Sequence, residues 1–359
     1  MTVLQVCAFA AEYPGNFIAT LVKLETELSQ KGFKTIYAFP ERASQMAWCK
    51  ELAEQTKVYF LPEAHARIMP QTYKMFRDIY RENTIDIVHT HFELYDVPAT
   101  IVAPSNTRVF WHLHDPIGDG FEKAGFARRL LTKIQYGYVG KRATLLTVSQ
   151  KHGDFAASIG FPQRQIVYFP NGINTERIKR VDFKKDIEEK HFLMLGWDVY
   201  RKGVDVLVNA LPLLNRRDFS VCVVGMDKCE KYLKQNSREA VIFLHPVTDI
   251  NVLFERSQAF LHISRSEGQS YALLEAIYAG LPVICSDIPE NSFAKQFKNL
   301  YWVNVGDSLC LAEMMEFLLA KAEPVDESAV AGNRKLIDEN YSIHAWVRRT
   351  VSLYMHENE

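Results

Sequence analysis

Short apolar runs of strand length alternate with helical patterns along this chain, and that alternation is what most restricts its fold. Runs at 3–10, 34–39, 58–61, 85–91, 109–115 and 144–149 are mostly apolar, with helical patterns at 17–30 (stopped by Gly32) and 70–82 between them. Strands apolar along their whole length belong to parallel sheets covered on both faces. A second series follows the turn Pro170, Asn171, Gly172, Ile173, Asn174. It has strands at 192–195, 220–224, 241–244, 259–263 and 281–285, with helices at 203–214 and 250–256. A length of 359 residues exceeds what one domain usually holds. We therefore expect an α/β protein of two doubly wound, Rossmann-like domains, over 1–170 and 171–340. A helical pattern at 342–355 lies in a tail at 341–359, and the charged stretch 181–190 reads as an exposed connector.

One segment of the second series carries the strongest chemical signal. Glu267 and Glu275 stand eight residues apart in Ser264, Arg265, Ser266, Glu267, Gly268, Gln269, Ser270, Tyr271, Ala272, Leu273, Leu274, Glu275. A small polar loop here runs into an apolar helical pattern, and Ser266 or Ser270 can cap that helix. Gly280 stops it, Pro282 bars its continuation, and a buried strand follows. The helix start offers N–H groups and the positive end of a dipole to an anion. The two carboxylates can accept hydrogen bonds from hydroxyls. A ligand with both a diphosphate and many hydroxyls is a nucleotide sugar. A capped amphipathic helix with exposed acids is the ordinary alternative.

This segment resembles the Glu-x7-Glu signature of family 4 glycosyltransferases, through both acids, Gly268, Gly280 and Pro282 together. The resemblance implies a GT-B fold, two doubly wound domains facing across a cleft. It implies a retaining sugar transferase acting on a hydroxyl of a glycan, lipid-linked or protein acceptor, in cell-surface polysaccharide or glycoconjugate synthesis. It also implies a last helix packing back on the first domain. Other motifs extend it. Gly15 and Asn16 stand in the loop after the first strand, where the family keeps a glycine-rich turn with two adjacent glycines; here only Gly15 is present. His114 and Asp115 match a strand-end pair whose His faces the donor sugar. Gly196, Lys202 and Gly203 match the family's G-R-x-x-x-x-K-G segment, whose Arg and Lys clamp the diphosphate. Trp197 stands where that Arg would be, so Arg201 and Arg265 are the candidates to replace it. Gly225 matches the glycine beside the nucleobase.

The resemblance therefore assigns His114, Lys202 and Glu267 to catalysis. It assigns Gly15, Asn16, Gly196, Arg201, Lys202, Gly225, Glu267, Gly268, Gln269, Ser270, Tyr271 and Glu275 to the donor. No cofactor is expected beyond the nucleotide-diphosphate sugar itself. Asp-x-Asp, the usual metal chelator of the other major glycosyltransferase fold, is absent, so leaving-group charge falls to Lys202 and helix N–H groups. His89 and His91 point the same way from a strand, but no further Cys or His lies near them in sequence, and no metal is expected. Two rivals share the fold: a non-catalytic subunit assisting a partner transferase, favoured by Trp197, and a nucleotide-sugar epimerase or phosphorylase.

Net charge is −1 and the sequence pI about 6.8, which argues against nucleic acid as a partner. Six scattered cysteines without a Cys-x-x-Cys pair suit a reducing, cytoplasmic setting. The first apolar run reads as a strand, not a signal peptide. The stretch from Lys123 to Arg142 mixes Arg128, Arg129, Lys133 and Lys141 with Phe126, Leu130 and Ile134. Such a helix suits either peripheral contact with an anionic membrane or a solvated face.

Overall fold

The structure, a computed structural model, describes residues 1–183, 190–216, 218–237, 241–320 and 325–355. Most of the stretch read as a charged connector lies outside them. The chain divides into two compact units, one of residues 1–172 with 343–359, the other of residues 173–342.

The first unit holds β1 (Thr2–Cys7), β2 (Lys34–Pro40), β3 (Lys57–Leu61), β4 (Ile87–His91), β5 (Arg108–Leu113), β6 (Ala143–Thr147) and β7 (Ile166–Tyr168). They form one parallel sheet in the order β3-β2-β1-β4-β5-β6-β7. The helix Ile343–Met355 belongs to this unit. Its Trp346, Val347, Val351 and Tyr354 pack with Val3, Leu24, Ile87 and Phe110 in one core cluster.

The second unit holds β8 (Lys190–Leu195), β9 (Phe219–Val224), β10 (Val241–Leu244), β11 (Ser257–His262), β12 (Val283–Ser286) and β13 (Leu300–Val303). Their order is β10-β9-β8-β11-β12-β13, again all parallel. Alternate residues of each strand face opposite sides. Phe192, Met194, Val221 and Val223 pack into one core layer, while Leu193, Cys222 and Val224 enter the other. Burial on both faces is why these strands read as unbroken apolar runs.

The sequence reading differs from the structure mainly at edges. β7 is three residues long and β13 is a further edge strand; both are short apolar runs, Ile166–Tyr168 and Leu300–Val303, that the strand series above leaves out. The helix expected over 203–214 is regular only at Val204–Ala210 before tightening at Leu211–Leu213, where Pro212 cannot donate. Five cysteines are buried and Cys310 is partly so; all are free thiols. Among the described residues no helix is long and apolar enough to cross a membrane.

Candidate functional site

In the second sheet the strand order reverses between β8 and β11. Doubly wound sheets bind ligands at the carboxyl ends of strands at such a point. Two loops leave the sheet there. The loop after β8 turns tightly, with the Lys202 amide donating to the Asp198 carbonyl at 2.9 Å and the Arg201 amide to Asp198 Oδ1 at 2.9 Å. Gly203 follows with φ of +78°, and a Cβ there would lie 2.3 Å from the Ile263 carbonyl oxygen. Only glycine lets the first loop press this closely onto the second. The Arg265 amide then donates to the Arg201 carbonyl at 2.8 Å and joins the two loops.

That junction sets Lys202 against Glu267. The ammonium lies 2.5 Å from Glu267 Oε1, and both side chains are buried. Burial pulls the Lys202 pKa down, and the Glu267 charge only partly restores it. For Glu267, burial pushes up, but Lys202, His262 and the Ser264 hydroxyl together outweigh it, so the carboxyl sits below its usual range. His262, at 4.0 Å from Glu267 Oε1, is held neutral by burial, its pKa pushed down to about 4. Lys202 also lies over the Trp197 ring, 4.7 Å from its centroid. The position at which the resemblance led us to expect Arg thus carries an aromatic face against the lysine.

Glu267 leads through buried Gly268, Gln269 and Ser270 into the helix Tyr271–Ala279. Of the two candidate caps, Ser270 is the one used: its hydroxyl accepts from the Leu273 amide at 3.3 Å. Gly280 ends the helix in the left-handed conformation, φ +92°. Glu275 is buried one turn in, and its carboxylate pairs with the Arg177 guanidinium. Sequence spacing gave no hint of Arg177. The two candidate replacements for the missing arginine now separate. Arg265 grips Asp205 with two bonds of 2.7 Å and stacks on Tyr200 at 4.0 Å. Arg201 lies close enough for its charge to depress the Lys202 pKa. Gly196 and Gly225 end the neighbouring strands β8 and β9, the Gly196 amide donating to the Val224 carbonyl at 2.7 Å.

In the first unit Gly15, with φ of +56°, opens the helix Gly15–Gln30, and Asn16 is buried beside it. His114 stands just beyond β5. Its Nδ1 lies 3.1 Å from Asn171 Oδ1 and its Nε2 lies 3.2 Å from His91 Nδ1. Both ring nitrogens of His114 are therefore engaged within the protein. Burial lowers the His114 pKa to about 4. The network continues from His91 to Gln5 at 2.9 Å, and Gln5 and His89 both meet the Tyr354 hydroxyl. His89, His91 and His112 each bring a ring nitrogen within 4.8 Å of the others. Gln5 and His114 already take up the nitrogens of His91, and rings stacked under Trp346 form a packed polar layer.

Two family models match. Residues 20–177 match the Glycosyltransferase Family 4 model and residues 189–321 match Glycosyl transferases group 1. The chain belongs to the family 4-type GT-B glycosyltransferases. It is 29% identical over 196 residues to the lipopolysaccharide glucosyltransferase WaaG of Escherichia coli, covering 46% of this chain and 52% of that protein. It is 28% identical over 192 residues to a phosphatidyl-myo-inositol mannosyltransferase of Mycobacterium leprae, covering 50% of this chain and 51% of that protein. The matches thus span about half the length of these curated relatives. Among solved structures, Anabaena HepE in complex with UDP superposes with a TM-score of 0.79 at 15% identity, over 99% of both chains. A glycosyltransferase from Rickettsia africae gives 0.78 at 17% identity, over 98% of this chain and 97% of that one. Within this family the Glu-x7-Glu segment of the chain is the one whose first acid meets Lys202.

Proposed function

We propose that the chain is a retaining, metal-independent glycosyltransferase that moves a sugar from a nucleotide-diphosphate sugar to a hydroxyl of a glycan, lipid-linked or protein acceptor. The observation that carries this reading is the buried Lys202–Glu267 pair at the strand-order reversal, beside a helix start capped by Ser270. Lys202, with Arg201 near it, meets the charge that develops on the departing diphosphate. Glu267 and the backbone from Gly268 to Tyr271 hold the sugar and the phosphates. Glu275 takes the ribose hydroxyls, with Arg177 orienting its carboxylate. Gly196 and Gly225 flank the nucleotide through their backbone at the ends of β8 and β9, where a Cβ would instead meet Val204 or Cys229. The acceptor is bound by the first unit, near Gly15, Asn16 and His114.

In the reaction the bond from the anomeric carbon to the diphosphate oxygen breaks, and its electron pair leaves with the diphosphate. The acceptor oxygen bonds to the same face of that carbon, and its proton passes to the leaving oxygen. No enzyme nucleophile enters the balance. The names of the relatives support the substrate classes: a glucosyltransferase of lipopolysaccharide, a mannosyltransferase of phosphatidyl-myo-inositol, and a structure holding UDP. A cytoplasmic protein in peripheral contact with the inner face of the cell membrane, through the stretch 123–142, suits such acceptors.

A thermal-shift screen over UDP-, GDP-, ADP- and dTDP-sugars tests the reading, because a bound donor stabilises the native state. One nucleotide series should raise Tm, and NMR of the product formed from it should show the donor's anomeric configuration kept. Stabilisation by none of them, or an inverted product, overturns it.

A further inference from the structure

In the first unit the helix Phe126–Tyr138 presents Phe126, Leu130, Ile134 and Tyr138 outward, at 83%, 48%, 54% and 76% exposure. Residues four apart lie along one stripe of a helix. Arg128, Arg129 and Lys133 stand in the same helix and no acid does. A soluble face has no use for four large exposed apolar side chains in line. An anionic bilayer interface accommodates both the stripe and the cations.

The inner side of this helix lines a pocket of about 450 Å³, within the ~300–1,000 Å³ typical of small-ligand sites. Ile68, Leu94, Ile117, Leu131, Phe155 and Ile159 make its walls apolar. Its buried cation is already matched: Arg67 bonds Asp96 at 3.0 Å and Glu93 at 3.1 Å. The rest of the lining is mostly apolar and suits an uncharged chain, with His65, Arg128, Thr132 and Gln135 among its other polar members. Leu94 is held at φ +88° and Phe92 at +65° in the turn after β4, a conformation that bulky residues adopt only under constraint. That turn, and the segment of Pro116 and Ile117 after β5, place the pocket at the carboxyl edge that also carries His114. Ala127 and Leu131 line the pocket and lie one step round the helix from the outward stripe. The apolar surface therefore runs from the stripe into the pocket.

The geometry points to a membrane-borne acceptor: the pocket beneath the helix Phe126–Tyr138 takes the hydrocarbon chain of a lipid-linked glycan while the outer stripe rests in the bilayer. This deepens the glycosyl-transfer reading and rests on it. The chain anchors the acceptor, so its sugar is delivered at the carboxyl edge of the sheet and does not have to be found from solution.

The test uses the full chain, with dodecyl glucoside below its micellar concentration as the pocket probe and glucose as its chainless control. Dodecyl glucoside should raise Tm by a few degrees and glucose should not. Ala127→Trp, which fills the mouth of the pocket from an exposed helix position, should abolish that shift. The same variant should still co-sediment with phosphatidylcholine vesicles containing phosphatidylglycerol. Leu130→Glu/Ile134→Glu should lose most vesicle binding and keep the dodecyl glucoside shift. Equal responses of wild type and Ala127→Trp, or no response of wild type, overturn the pocket assignment. Vesicle binding unaffected by the two glutamates overturns the bilayer contact. A nucleotide-sugar shift measured in parallel reports separately on the transferase reading, so the failures are distinguishable.

Discussion

The Lys202 ammonium lies 2.5 Å from a Glu267 carboxylate oxygen, with both side chains buried at the carboxyl ends of adjacent strands. A pair so placed holds a cation where a diphosphate can take over part of the carboxylate's role. It also makes each residue structurally dependent on the other. Lys202→Ala leaves a buried carboxylate without its partner, which costs about 3–5 kcal/mol. Lys202→Met/Glu267→Gln removes both charges and should recover much of that stability. Turnover should remain down by roughly 10²–10³-fold or more in both variants. Denaturation curves and product formation, measured side by side, check this; a double variant that regains activity rejects the role of Lys202.

Arg177 and Glu275 form another acid–base contact of the same unit, with Glu275 buried and Arg177 partly so. Glu275→Gln should weaken the donor-induced rise in Tm by removing the hydroxyl-accepting charge. Arg177→Met should destabilise the free protein more than Glu275→Gln does, since it strands a buried carboxylate. Titration of each variant with the donor found in the screen measures both effects. Unchanged donor affinity in Glu275→Gln would remove that residue from the site.

Gly203→Ala probes the packing of the two loops. The new Cβ would meet the Ile263 carbonyl at 2.3 Å, and the backbone is left-handed there. Strain of this kind costs on the order of 1–3 kcal/mol. The Lys202 loop should also lift from the end of β11, so donor affinity should fall together with Tm. A stable variant with full donor binding would show that the close approach is dispensable.

Acid should destabilise this protein from the histidine range downward. Burial holds His89 down to about 3, His114 to about 4 and His262 to about 4, whereas unfolded histidines titrate near ~6.5. Between those values the unfolded chain binds protons that the folded chain does not, so stability rises with pH there. It is fully present above about 6.5 and is lost progressively as pH falls toward 4. Glu267, held below its usual range, adds a loss only at still lower pH, as the pH drops through its folded pKa. Tm measured from pH 7.5 to 4.5 should show the decline, and His89→Leu should flatten it. A flat profile would mean that the buried histidines accept protons without opening the fold.

Much of the second unit is legible locally. Gly280 and Pro282 stop a helix for stereochemical reasons that act within a few residues. Ser266 and Ser270 are equivalent by composition, and the structure uses Ser270 because its hydroxyl stands at the N-cap. The unbroken apolar strands announce a parallel sheet because both faces must be covered. Edge strands escape this logic: β7 has three residues and two exposed positions, so little burial pressure shapes its sequence.

Side-chain partnerships belong to the tertiary structure alone. Lys202 and Glu267 are 65 positions apart, and Arg177 and Glu275 are 98 apart. The first two meet because β8 pairs with β11 across two intervening strands in the chain, and Arg177 is held near Glu275 by the bonds of its own segment to Asn251 and Ala279. The same holds for His114, whose residue type hints at ligand chemistry while its ring nitrogens are taken by His91 and Asn171. Residue type and spacing encode which groups are at hand, through short-range stereochemistry and periodicity. Which of them touch, and with what charge, follows from burial and strand order, and these exist only once the chain has folded.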